Sequence, residues 1–366
     1  MASPLFSTVE ELAGLVREPD LDRLVVLGQR LLDESRGLAP DELTAAVGEL
    51  TEVLKVGPYG EFARLALVAR SFVLRGGSPL PLVPEVVPWI VRVLALRVLL
   101  SQAWPTVRRW RWPKTPPDPA SDRVPEWGDF VARCKANADR FDLTDAGAVA
   151  MARSWRDIDP WLRLLHTAME RQEFRGAVAP LLPELTDLVD QLTDELHTAD
   201  CIAGLARVLD NASLVVLDAD SGRGYRLTMS GIGDNCQLHT LLADRLIGDP
   251  ADGLILGLRP QPAWVAAAST GPAETPSPDH TLRRFRLFDG TGAYVSPQGR
   301  PSDIAERDGV RVLVVHPARG NHGWLHGRRF VNMVPTLALD EIMTPADAAA
   351  WHASITPARQ DDFLGP

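Results

Sequence analysis

Three cysteines in 366 residues, Cys134, Cys201 and Cys236, are too sparse and too odd in number for a disulfide framework. No CxxC pair occurs, which excludes a zinc ribbon or a thioredoxin-type dithiol. Positive charge is short as well: 38 Lys and Arg stand against 48 Asp and Glu, a net charge of −10. General nucleic-acid binding and adhesion to anionic membranes both need the opposite balance. The glycine patterns of phosphate loops are missing too. Gly231-Ile-Gly233 has no further glycine before Gly248, and no GxxxxGK[ST] exists. HEXXH is likewise absent. No cofactor and no metal is therefore expected.

Nor is there a long apolar run free of charge. The strongest, residues 86–104, reads VVPWIVRVLALRVLLSQAW and contains Arg92 and Arg97. Each central Arg costs roughly 2.5–3.5 kcal/mol on insertion into a bilayer, so a buried core helix is expected and no transmembrane segment. The first twenty residues lack a basic stretch followed by an apolar one, which predicts no secretory signal and a cytoplasmic protein.

What is present reads as two textures. Residues 1–104 predict helices. Leu21, Leu24, Leu27 and Leu31 recur at the three- and four-residue spacing of one buried face. Ser7-Thr8-Val9-Glu10 fits a capping box, and Pro40-Asp41-Glu42 opens another helix. Residues 105–127 carry six prolines and predict a loop or linker, with the cluster Arg108-Arg109-Trp110-Arg111-Trp112. Residues 128–208 predict helices packed on the first set, with Asp157-Ile-Asp-Pro160 as a stop and restart. From 209 to 366 the pattern turns α+β. Residues 213–217 and 225–229 form a hairpin around Asp220-Ser-Gly-Arg-Gly224, and 254–256, 264–266, 283–288 and 310–315 predict strands. The expected fold is α+β: a mostly helical N-terminal region, then a smaller domain with an antiparallel or mixed sheet.

One constellation invites a chemical reading. Gly231, Gly233, Asp234 and Asn235 make a tight strand-to-helix turn with a good N-cap, and Cys236 falls in the first helical turn. There the helix dipole favours a thiolate, as in cysteine nucleophiles. His280 or His322 would be the base and Asp289 the orienting acid of a hydrolase or acyltransferase. The order Cys on a helix, His before a strand, Asp after it is similar to that of papain-like and transglutaminase-like cores, in order alone. Nine residues between His280 and Asp289 put them on opposite faces of a straight strand. The same turn, with Arg319, Arg328 and Arg329 of the Gly-rich 316–330 loop, could instead hold a small anion. His322 and His326 are spaced for zinc on a helix, but Gly323 and Gly327 argue against a helix there. A third reading is a binding or scaffold protein, motivated by ten tryptophans and the Trp110/Trp112 loop. Its partner would be a protein or a small anionic ligand, with the site in the C-terminal α+β part.

Overall fold

A computed structural model describes residues 4–15, 20–55, 63–117, 119, 125–273, 283–318, 323–324 and 327–358. The chain divides into two compact units, residues 1–206 and 207–366.

The first unit is helical. Its helices are α1 (Pro4–Leu15), α2 (Leu21–Glu34), α3 (Pro40–Leu54), α4 (Leu65–Leu74), α5 (Val86–Val107), α6 (Trp127–Ala136), α7 (Asp145–Met169), α8 (Gln172–Ala177), α9 (Leu182–Asp190) and α10 (His197–Ala206). Helix α1 begins at Pro4, so Ser7 lies inside it rather than capping it. Helix α7 is the spine, packed against α4, α5, α6 and α10. It runs unbroken through Pro160, where a stop is predicted. An interior proline removes a hydrogen bond and costs about 3 kcal/mol. Burial on both sides of it offsets that cost: Met151, Ala152, Trp155 and Ile158 before, Trp161, Leu162, Leu165 and Met169 after. Helix α5 is long and apolar enough to cross a membrane by length and composition alone. In the unit it packs on α7 and α9. Its two arginines part company: Arg92 is exposed, while Arg97 is buried and paired with Glu195 at 2.5 Å.

Helix α5 runs on through Pro105 to Val107, and the described residues 108–117 of the proline-rich stretch form a loop of this unit. Trp104 Nε1 donates to the Pro113 carbonyl at 3.0 Å, and Trp155 Nε1 to that of Pro117 at 2.7 Å. Trp112 stacks on Trp104 with ring centres 5.9 Å apart and meets Phe130 edge-on.

The second unit is a mixed sheet between helices. Its strands are β1 (Ala212–Asp218), β2 (Gly224–Ser230), β3 (Phe285–Asp289), β4 (Glu306–Arg307), β5 (Val310–Pro317) and β6 (Thr336–Ile342). Its helices are α11 (Asn235–Leu246), α12 (Pro262–Ala268) and α13 (Pro345–Ser354). The strand order is β3-β5-β1-β2-β6, with β4 beside β5. The predicted hairpin is there, with Ala212 opposite Met229 and Leu217 opposite Gly224. Strands β1 and β5 are parallel, Leu214 beside Arg311 and Asp218 beside Val315. Strands β3 and β6 are antiparallel to their neighbours. One face presents Leu214, Val216, Leu227, Leu287 and Leu313 to Leu238, Leu242 and Leu246 of α11. The other presents Val215, Leu217 and Val312 to Ala348 and Trp351 of α13.

Three strand expectations change. Residues 264–266 lie in α12, which Pro262 opens at the first helical turn, where its missing N–H is no loss. Residues 254–256 form only an isolated bridge from Ile255 to Ile247. Strand β3 is buried at every residue instead of alternating, so Arg286 is inside.

Candidate functional site

Helix α11 centres the second unit. Residues 235–243 and Leu246 are all buried, although Asn235, Gln237, His239 and Thr240 are polar. A helix buried on every side must satisfy its polar groups internally. Most are. Asp234 is the N-cap and accepts from Gln237 N at 2.8 Å. Gln237 Oε1 accepts from Gly233 N at 2.8 Å, and its Nε2 donates to the Ala268 carbonyl at 2.8 Å. Asn235 N donates to the Gly299 carbonyl at 2.9 Å, and Asn235 Nδ2 to that of Ser296 at 2.9 Å.

These bonds close the turn to the anion expected there. The N–H groups of Gly233, Asn235 and Gln237 already have acceptors within the protein. The glycines serve packing instead. Gly231 has φ +64°, and a Cβ on it would lie 2.9 Å from the Val334 carbonyl oxygen. A Cβ on Gly233 would lie 2.9 Å from the Phe330 ring. Arg328 belongs to the same closure. It is buried and donates to the carbonyls of Ala267, Gly271 and Val331 at 2.8–3.1 Å. Arg329 is exposed beside the Phe330 ring. Arg319 lies outside the described residues.

The cysteine also departs from expectation. Cys236 is buried, and burial, aided by the Asp234 carboxylate, pushes its thiol up to about 12. An activated nucleophile needs the reverse. The helix N-terminus favours a thiolate, but loss of water disfavours it more. Asp289 Oδ1 accepts from Thr291 N, Thr291 Oγ1 and Ala293 N, which ties it into its own turn. His280 and His322 lie outside the described residues. No hydrogen bond joins a described histidine to Cys236.

Sequence reasoning saw His239 three residues after Cys236, on a neighbouring helical face, but gave it no role. Its Nε2 accepts from Arg284 N and Phe285 N, both at 3.0 Å. Those bonds assign the ring proton to Nδ1. Burial and the neighbouring Arg283 and Arg284 push its pKa down to about 3, so the ring is neutral. His239 Nδ1 and Asn235 Oδ1, one donor and one acceptor a helical turn apart, are buried with no partner among the described residues. Both residues line a cavity with Arg283, Tyr294 and Trp324 that has about 10 Å³ for a water-sized sphere, the room of a single water. The signal available in the sequence was the i, i+4 pairing of Asn235 and His239.

Arg283 and Phe285 also border a larger cleft of about 710 Å³. Parallel β1 and β5 end together at this edge, and antiparallel β3 begins there. The cleft is lined by Asp218 and His316 from the strand ends, by Arg283 and Arg284, and by Leu256 and Leu258. The two leucines are 80% and 71% exposed, an apolar rim. Asp218 is engaged within its turn, accepting from Asp220 N and Ser221 Oγ. Arg223 donates to the Leu254 and Pro250 carbonyls. Burial, with Arg286 nearby, lowers the pKa of His316 and keeps it neutral. Arg283 donates to the Tyr294 hydroxyl at 2.7 Å. Arg284 Nε is buried without a partner among the described residues. No described carboxylate pairs with either arginine.

The first unit holds a cleft of similar size, about 780 Å³, with a different charge balance. Three of its four arginines, Arg97, Arg156 and Arg163, pair with Glu195, Asp157 and Asp159; Arg64 is the fourth in its wall. Elsewhere in that unit Trp110 is 86% exposed, while its neighbour Trp112 packs inward. Compared with protein-family models, with curated proteins and with solved structures, the chain matches none of them.

Proposed function

We propose that this chain is a binding protein that holds a small anionic ligand with an apolar body, in the cleft where β1 and β5 end. The observation that carries the reading is the pair Arg283 and Arg284. Both face a cleft of ligand size and neither has a described carboxylate partner. Burial disfavours the Arg284 guanidinium in its charged form. An anion would offset that cost and supply the missing acceptor for Nε. Leu256 and Leu258 would cover the apolar part, so affinity would come from burial and orientation from charge.

Thermal unfolding of the full chain tests this, with inorganic phosphate, phenyl phosphate and octanoate as probes. A probe carrying both an anion and an apolar body should raise the melting temperature, because a ligand that binds only the native state stabilises it. Arg284→Gln should abolish the rise. No rise with any of the three at millimolar concentration, or an equal rise in Arg284→Gln, would overturn the proposal.

A further inference from the structure

We infer that the first turn of α10 is a binding site for a first-row divalent transition cation, with zinc as the best match. The sequence His197-Thr-Ala-Asp200-Cys201 places its three potential ligands at i, i+3 and i+4. At 100° per residue these fall within about 100° of arc, on one side of the helix. The ligand atoms of all three lie within 4.8 Å of one another. Cys201 Sγ and His197 Nε2 are 3.8 Å apart. Zinc bonds of about 2.3 Å to sulfur and about 2.0 Å to nitrogen, at a tetrahedral angle, put those two atoms about 3.5 Å apart. The pair therefore stands near its liganded separation.

The donor set selects the class of metal. A sulfur and an imidazole nitrogen suit zinc and its neighbours, whereas magnesium and calcium take oxygen ligands. The positive end of the helix dipole would oppose a bare cation there. Zinc with one thiolate and one carboxylate carries no net charge, so that opposition falls away. Three ligands leave one tetrahedral position for a fourth group. His166 of α7 lies within electrostatic reach of His197. His197 is also in the wall of the 780 Å³ cleft. The metal would thus sit at the border of that cleft, independent of the arginine site in the other unit.

The test uses untagged full-length chain, first stripped with a chelator and then titrated with zinc and with cobalt. One equivalent of zinc should bind and protect Cys201 from a thiol reagent. Cobalt should give a near-ultraviolet thiolate-to-metal band. Cys201→Ser should abolish that band, and His197→Ala should weaken zinc at least tenfold. His197 is exposed, so its replacement leaves the helical fold in place, as circular dichroism would verify. Absence of zinc binding to the wild-type chain would overturn the site. So would equal binding by both variants, which would put the metal on other residues.

Discussion

Arg97 and Arg328 are both buried, at 2% and 8% exposure, yet their charges are met in different ways. In the helical unit Arg97 meets a side chain, Glu195, with Ser101 beside it. In the sheet unit Arg328 meets three backbone carbonyls. The contrast extends beyond the two arginines. Thr8 with Glu34 and Arg70 with Thr167 are side-chain pairs in the first unit. In the second, Gln237, His239, Asp289 and Arg223 all hold main chain. Helix interiors satisfy their own backbone, so buried polar side chains there turn to one another or to carbonyls at helix ends, as Arg175 does to that of Met169. The second unit is rich in loops whose N–H and C=O groups have no ladder, and polar side chains fill that need. Residues that look chemical in the sequence of a loop-rich domain are thus often its braces.

This comparison can be broken or sharpened by three measurements. The largest effect should come from Glu195→Ala, which leaves the Arg97 charge buried alone. A loss of about 3 kcal/mol is expected, seen as faster hydrogen exchange in α5 and α7. The double variant Arg97→Met with Glu195→Leu should recover most of it, because neither charge remains. Arg328→Met should cost about 2 kcal/mol, read from exchange in α12 and the 327–335 segment. No second side-chain replacement should rescue it, since the stranded acceptors are backbone. Rescue there, or its failure at Arg97, would dissolve the distinction.

The last effect, smallest at neutral pH, is a pH dependence. The folded pKa of His239, about 3, lies below its ordinary 6.5, so between those values the unfolded chain binds the extra proton. Its contribution is therefore complete above pH 6.5 and declines as pH falls toward 3. The slope is about 1.4 kcal/mol per pH unit for one proton. His166 and His316 shift in the same direction. The difference between wild type and His239→Gln isolates this residue, and denaturant midpoints from pH 7 to pH 4 should converge in acid. Parallel curves would show that the imidazole is not what titrates.

Local features were legible in the sequence. The β1–β2 hairpin, β5 and the Asp234 cap follow from turn chemistry and β-branched runs. Long-range decisions were not. Nothing near Pro160 announces that burial on both sides will carry α7 through it. Nothing near Arg286 announces that β3 lies between β5 and two covered faces. Strand β6, TLALDEI, mixes polar and apolar residues at an edge and was missed. The sequence pointed to Cys236 by its place after a glycine turn, and helix-dipole reasoning has no measure of burial. His197 was weighed alone, which hid the His197-Asp200-Cys201 spacing.

The parallel pairing of β1 with β5 has a consequence for synthesis. Leu214 and Arg311 are neighbours in the sheet, but about three-fifths of the second unit's sequence separates them. Strand β2 waits in the same way for β6. On a ribosome the β1–β2 hairpin would emerge with both outer edges open, long after the local contacts of α1 to α10 had begun to form. The second unit's core strands are thus among the last parts of the molecule to be protected. A stall or truncation before residue 310 would leave a two-stranded, apolar ribbon in search of an edge.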